Sequence, residues 1–151
     1  MDDDLLSNYW RRQMMQVQES YVAPCDMADY EKLLVWRKAH ALALNVHSVA
    51  TGIRGSNYAS LRSQMIRAAM SIPANIVEGK GQRSGREFAR FLGYSINSSS
   101  ELQYHLTVAR DFRVITVAQF TPLLDQLIEV RRMLHGLRKS VLKRDRDPLT
   151  K

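Results

Sequence analysis

The sequence predicts an all-α protein, an antiparallel up-down four-helix bundle. Three observations predict it. Four segments repeat apolar residues in alternating steps of 3 and 4, no segment alternates apolar and polar residues between hairpin turns, and the links between segments are short. Steps of 3 and 4 put one apolar seam on each helix, the pattern of helices packed at shallow angles.

The first segment carries Val35, Ala39, Leu42, Val46, Val49 and Ile53. The second carries Leu61, Met65, Ala68, Ile72 and Ile76, and the third Phe88, Phe91, Leu92, Ser95, Ser99, Leu102 and Leu106. Leu123, Leu127, Val130, Leu134, Leu137 and Val141 form the fourth. Helices are expected near 30–52, 58–79, 84–110 and 122–143. Gly52 and Gly55 should close the first, with Ser56 or Asn57 capping the second. Gly79 and Gly81 should close the second, and Ser84-Gly85-Arg86-Glu87 reads as a capping box for the third. Thr116-Val117-Ala118-Gln119 reads as another box, but Thr121-Pro122 is the better start of the fourth helix, because proline suits a first helical position.

The domain reading is a bundle over 27–144, an N-terminal extension over 1–26 and a frayed tail over 145–151. In the extension, Trp10, Met14, Val17 and Tyr21 step by 4, 3 and 4, so a further short amphipathic helix fits there. No apolar run approaches the ~20 residues of a membrane helix. The acidic opening MDDDLL lacks the cationic start of a signal peptide. Cys25 is the single cysteine, so no internal disulfide can form, which fits a reducing cytoplasm.

Charge is unevenly shared. Residues 1–31 carry a net −5 and residues 32–151 a net +12, within a total of +7. A strongly basic body favours polyanions, nucleic acid above all. Lys80, Arg83 and Arg86 surround the start of the third helix, where free N–H groups already favour an anion. Arg131, Arg132, Arg138, Lys139, Lys143 and Arg144 crowd the last helix and tail. Aromatic residues are not obviously interleaved with them, so these cations suit backbone contact and not base readout.

Other chemistry finds little support. Gly79, Gly81 and Gly85 fall one residue off a dinucleotide fingerprint and follow a helix instead of a strand, so a helix-to-helix corner explains them better. His40 and His47 share a face without nearby carboxylates, and Glu101 and His105 miss the Glu-x-x-His spacing of di-iron bundles, so no metal or other cofactor is expected. No catalytic residue is assigned. Pro73 should bend the second helix near 69–73, with Ser71 or a neighbour close to the loosened carbonyls. Arg67, Ser71, Asn75 and Glu78 share a stripe beside the seam, with Glu101 as a partner for Arg67. This set reads as a structural polar network, the rival reading being an enzyme site.

The stretch SLRSQMIRAAMSIPANIVEGKGQRSGREFARFLGYSINSSSELQYHL, with Tyr30, Leu33, Trp36 and Ala39 upstream, resembles the bacterial four-helix bundle family of 23S rRNA intervening sequences, also labelled S23 ribosomal protein. The resemblance covers about residues 28–142 and departs at Ser98-Ser99-Ser100 and Gln103. It implies a homopentameric barrel of bundles, as in related accessory proteins of diversity-generating retroelements, which bind nucleic acid and a reverse transcriptase. The expected function is a non-enzymatic homo-oligomeric scaffold on RNA or DNA backbone with a protein partner. The alternative is a protein–protein scaffold whose charge serves solubility.

Overall fold

The structure, a computed structural model, describes residues 30–146. The described residues contain four long α-helices and no strand: α1 (Leu34–Gly52), α2 (Ala59–Lys80), α3 (Gly85–Asp111) and α4 (Val117–Arg146), with a 3-10 turn at Ser56–Tyr58. Consecutive helices pack side by side and α1 also packs on α4, which closes the expected up-down bundle. Leu42, Met65, Ile72, Leu102, Leu106, Leu127 and Leu134 are fully buried, so the four stripes read from sequence meet in one core. The extension, with Trp10, Met14, Val17, Tyr21 and Cys25, lies outside the described residues.

Three boundaries differ from expectation for physical reasons. The chain from Tyr30 to Leu33 forms a turn, and α1 begins only at Leu34. Ser56 and Asn57 do not cap α2: they lie in the 3-10 turn that follows Gly55, whose φ of +97° suits glycine. Arg62 Nη1 donates to Ile53 O at 3.0 Å and Gly55 O at 2.9 Å, which holds that corner.

The fourth helix starts at Val117, five residues before Pro122. Thr116 and Gln119 form the complete capping box: Gln119 N donates to Thr116 Oγ1 at 3.2 Å, and Thr116 N donates to Gln119 Oε1 at 2.9 Å. The early start also buries Phe120 in register with Leu123 and Leu127, under the guanidinium of Arg110 at 4.6 Å from the ring centroid. Box and burial together outweigh the cost of a proline at the sixth position. Thr116→Ala should lower stability by about 1 kcal/mol in urea unfolding, the usual cost of losing a threonine cap. At the other end, Asp145 and Arg146 continue α4 where a frayed tail was expected.

A further correction concerns Gly79, which lies inside α2 and does not end it. A Cβ there would stand 2.6 Å from Phe91 Cβ and 2.9 Å from Phe88 Cδ2. Its missing side chain therefore lets α2 and α3 approach. The corner itself is capped by Ser84, whose Oγ accepts from Glu87 N at 3.2 Å. The three glycines thus belong to a helix-to-helix corner.

Pro73 is buried within α2, which is helical on both sides of it. Its missing N–H leaves Ala69 O without the usual helical donor. The side-chain donors go elsewhere: Asn75 Nδ2 to Ser71 O at 2.8 Å, and Ser95 Oγ, from α3, to Ile72 O at 2.9 Å. Ser71 Oγ also meets Ser98 Oγ at 2.9 Å. Small serines on α3 thereby bring it close to α2 and satisfy the buried hydroxyls in the process.

Candidate nucleic-acid interface

An up-down bundle places the end of α2, the start of α3 and the end of α4 at one pole. Asp145 on α4 lies against Gly85 on α3, 3.2 Å from where a Cβ would sit, so the two basic clusters read from sequence meet there. Lys80, Arg83 and Arg86 approach from the corner; Lys143, Arg144 and Arg146 come from α4.

Between α3 and α4 runs an open groove of about 520 Å³. Arg86, Arg90 and Asn97 line it from α3, and His135 and Arg138 line it from α4. It continues along α4 past Lys139 and Lys143 to Arg146. Arg86, Arg90, Lys139 and Lys143 are exposed, so their charges reach solvent. Arg138 is oriented by a bond from its Nε to Ala89 O at 3.1 Å. Asp145, close to the α3 start, partly offsets this field.

Arg90, Tyr94, Asn97, His135 and Arg146 were not singled out from the sequence. A signal for the α3 set exists: Arg86, Arg90 and Asn97 recur at four and seven residues, which places them on one helical face. Tyr94 is 45% exposed in the groove and stands edge-on to Phe91, ring centroids 5.6 Å apart. An aromatic surface is thus available among the cations, where none was obvious from the sequence.

Arg131 does not belong to this surface. Its Nε donates to Ser99 Oγ at 2.9 Å, Nη1 to Gln103 Oε1 at 2.7 Å and Nη2 to Ser99 O at 2.9 Å. It is half-buried and ties α4 to the small-residue run of α3. Arg131→Ala should therefore cost stability, about 1.5–3 kcal/mol from charge-assisted bonds, and leave the groove cations untouched. Arg132→Ala, at an exposed position, should leave the urea midpoint nearly unchanged.

The expected polar network separates in two. Ser71 and Asn75 join Ser98 in a part-buried cluster. Arg67 is 74% exposed and only 4.0 Å from Glu101, a pair of small energetic weight. Glu101 also stands 3.6 Å from His105 Nε2. Glu78 is exposed, and only its backbone carbonyl takes a side-chain bond, from Gln82. None of these residues lines the grooves described for the bundle.

Histidines 40 and 47 instead border an apolar groove of about 530 Å³ between α1 and α2, together with Trp36, Leu44, Met70 and Pro73. His40 stacks on Trp36, with centroids 5.1 Å apart and planes 6° apart. Among the described residues no cluster of three or more metal-ligating side chains occurs, and no helix is long and apolar enough to cross a membrane.

Residues 31–136 match the family model described as 23S rRNA-intervening sequence protein. A crystal structure of a protein of unknown function from the S23 ribosomal protein family of Bacteroides thetaiotaomicron has the same fold. It aligns at a TM-score of 0.66 and 21% identity, covering 70% of this chain and 99% of the other. No curated protein matches the chain.

Proposed function

The chain belongs to the 23S rRNA-intervening sequence protein family, and from that premise we propose that it is a non-enzymatic homo-oligomeric scaffold that binds nucleic-acid backbone through the α3/α4 groove. The observation that carries this reading is the convergence of Arg86 and Arg90 with Arg138, Lys139, Lys143 and Arg146 along one open channel. The channel has the form of a backbone track: exposed cations on two rigid helices. Tyr94 adds a surface on which an unpaired base can stack.

Self-association is supported by the second groove. Leu44 and Met70 are half exposed or more beside Trp36 and Pro73, an apolar patch suited to another helix. A ring of five copies, the assembly implied by the resemblance, would repeat the cationic channel around its circumference and multiply its field. Sedimentation at micromolar concentration should give a closed oligomer; a monomer would contradict the ring. A protein partner, such as a reverse transcriptase, would be a further occupant of the assembled surface. The nucleic-acid reading is tested by binding of a mixed-sequence RNA or DNA oligonucleotide across a salt series.

A further inference from the structure

The α3/α4 groove has a feature that phosphate does not require. Ala89 is buried, and Gly93, Ile96 and Leu142 are half-buried beneath the exposed arginines, so an apolar floor lies between cationic rims. At Gly93 a Cβ would meet only Arg138 Nε, at 3.8 Å, so the floor is open there. Such a surface fits an amphipathic segment carrying acids beside its apolar stripe.

The chain holds one segment of that pattern. Residues 1–29 carry a net −4, with Asp2, Asp3 and Asp4 before the Trp10, Met14, Val17, Tyr21 stripe and Glu19, Asp26 and Asp29 within or after it. Topology delivers its end to the right pole. Tyr30 packs on Trp36 near the start of α1, with centroids 4.9 Å apart. Lys38 pairs there with Glu129 at 3.1 Å, and α4 continues from Glu129 to Arg146, whereas α1 begins one turn before Lys38. The basic half of α4 therefore extends beyond the point where the segment enters. With the stripe from Trp10 to Tyr21 wound as a helix about 18 Å long, residues 22–29 still reach up to about 28 Å from Tyr30, comparable to the roughly 25 Å by which α4 runs on from Glu129 to Arg146.

We propose that residues 1–29 dock in the α3/α4 groove of their own chain, with the apolar stripe on its floor and the acids against its rims. The segment then occupies the cations that a polyanion would use. This docking does not depend on nucleic-acid binding, and its test contains no nucleic acid.

The test is zero-length carbodiimide cross-linking of the full chain, which joins a carboxylate to a lysine amine only where they touch. The expected products join Asp2, Asp3, Asp4 or Glu19 to Lys139 or Lys143. In protein assembled from isotopically heavy and light chains, these products should be heavy–heavy or light–light. The full-length double variant Met14→Asp, Val17→Asp alters no bundle residue and should lose most of them while keeping its helical circular dichroism. Coupling of the segment's acids only to Lys32 and Lys38, abundant heavy–light products, or products unchanged in the double variant would each overturn the proposal. Heavy–light products would assign the groove to a neighbouring copy's segment instead.

Discussion

Replacing Arg86, Arg90, Lys139 and Lys143 together by alanine is expected to abolish most of the chain's affinity for RNA and DNA at physiological salt. All four are exposed; Arg86 and Arg90 line the α3/α4 groove, and Lys139 and Lys143 line its continuation along α4. Their removal leaves the core untouched, so helical circular dichroism and the urea midpoint should stay close to those of the parent. Each phosphate contact contributes about 0.9 to the slope of log affinity against log salt on duplex DNA, so losing four should flatten that slope by about 3.6. Sequence preference should not change, because phosphate contacts position a protein without reading bases. Tyr94→Ala makes the complementary separation: it should weaken single-stranded ligands by about 1–3 kcal/mol through lost stacking and leave the salt slope alone. Sedimentation of each variant must match the parent, because loss of assembly would imitate loss of charge.

Gly79→Ala should be the most destabilising small substitution at the α2–α3 corner. Two effects oppose each other. Alanine in place of a helical glycine gains about 1 kcal/mol of intrinsic propensity. Overpacking typically costs about 1–3 kcal/mol, occasionally more. The geometry decides between them. The added methyl would lie 2.6 Å from Phe91 Cβ, an atom fixed to the α3 backbone that no rotamer change can move. The helices must separate, and the contacts of Phe88 and Phe91 are lost with them. A net loss of about 1–2 kcal/mol in urea unfolding is expected. Gly136→Ala is the control: its Cβ would meet nothing within 4 Å, so propensity alone should act and raise stability. A stabilised Gly79→Ala protein would mean that the corner is looser than described.

Much of the bundle was legible because its signals are local. The 3–4 stripes depend only on helical geometry, and Ser84 caps α3 because a serine followed by Glu87 can satisfy the helix start by itself. Misreadings arose where local rules competed. At the start of α4 a proline rule opposed a capping box, and the burial of Phe120 favoured the box. Gly79 looked like a terminator because glycine serves both ends and close approaches; only the position of Phe91 separates the two. The candidate site was legible as a charge and not as a place. Arg131 and Arg138 are identical in sequence terms, yet one forms three bonds to Ser99 and Gln103 and the other lines the channel. Arg90 and Tyr94 gain their meaning only from facing α4, which no spacing along α3 reveals.

Backbone binding by the α3/α4 groove is what separates a nucleic-acid scaffold from a protein–protein scaffold. The most direct measurement is equilibrium binding of a fluorescent mixed-sequence oligonucleotide to the full chain, from ~50 mM to ~200 mM salt, the range over which phosphate contacts lose strength steeply. Binding is expected at the low end, with a linear fall of log affinity with log salt and a shallower line for the variant lacking Arg86, Arg90, Lys139 and Lys143. Absence of binding to both RNA and DNA at ~50 mM salt, with the oligomer intact, by the full chain and equally by its Met14→Asp, Val17→Asp variant, whose groove is vacated, would contradict it and leave a protein–protein scaffold in its place.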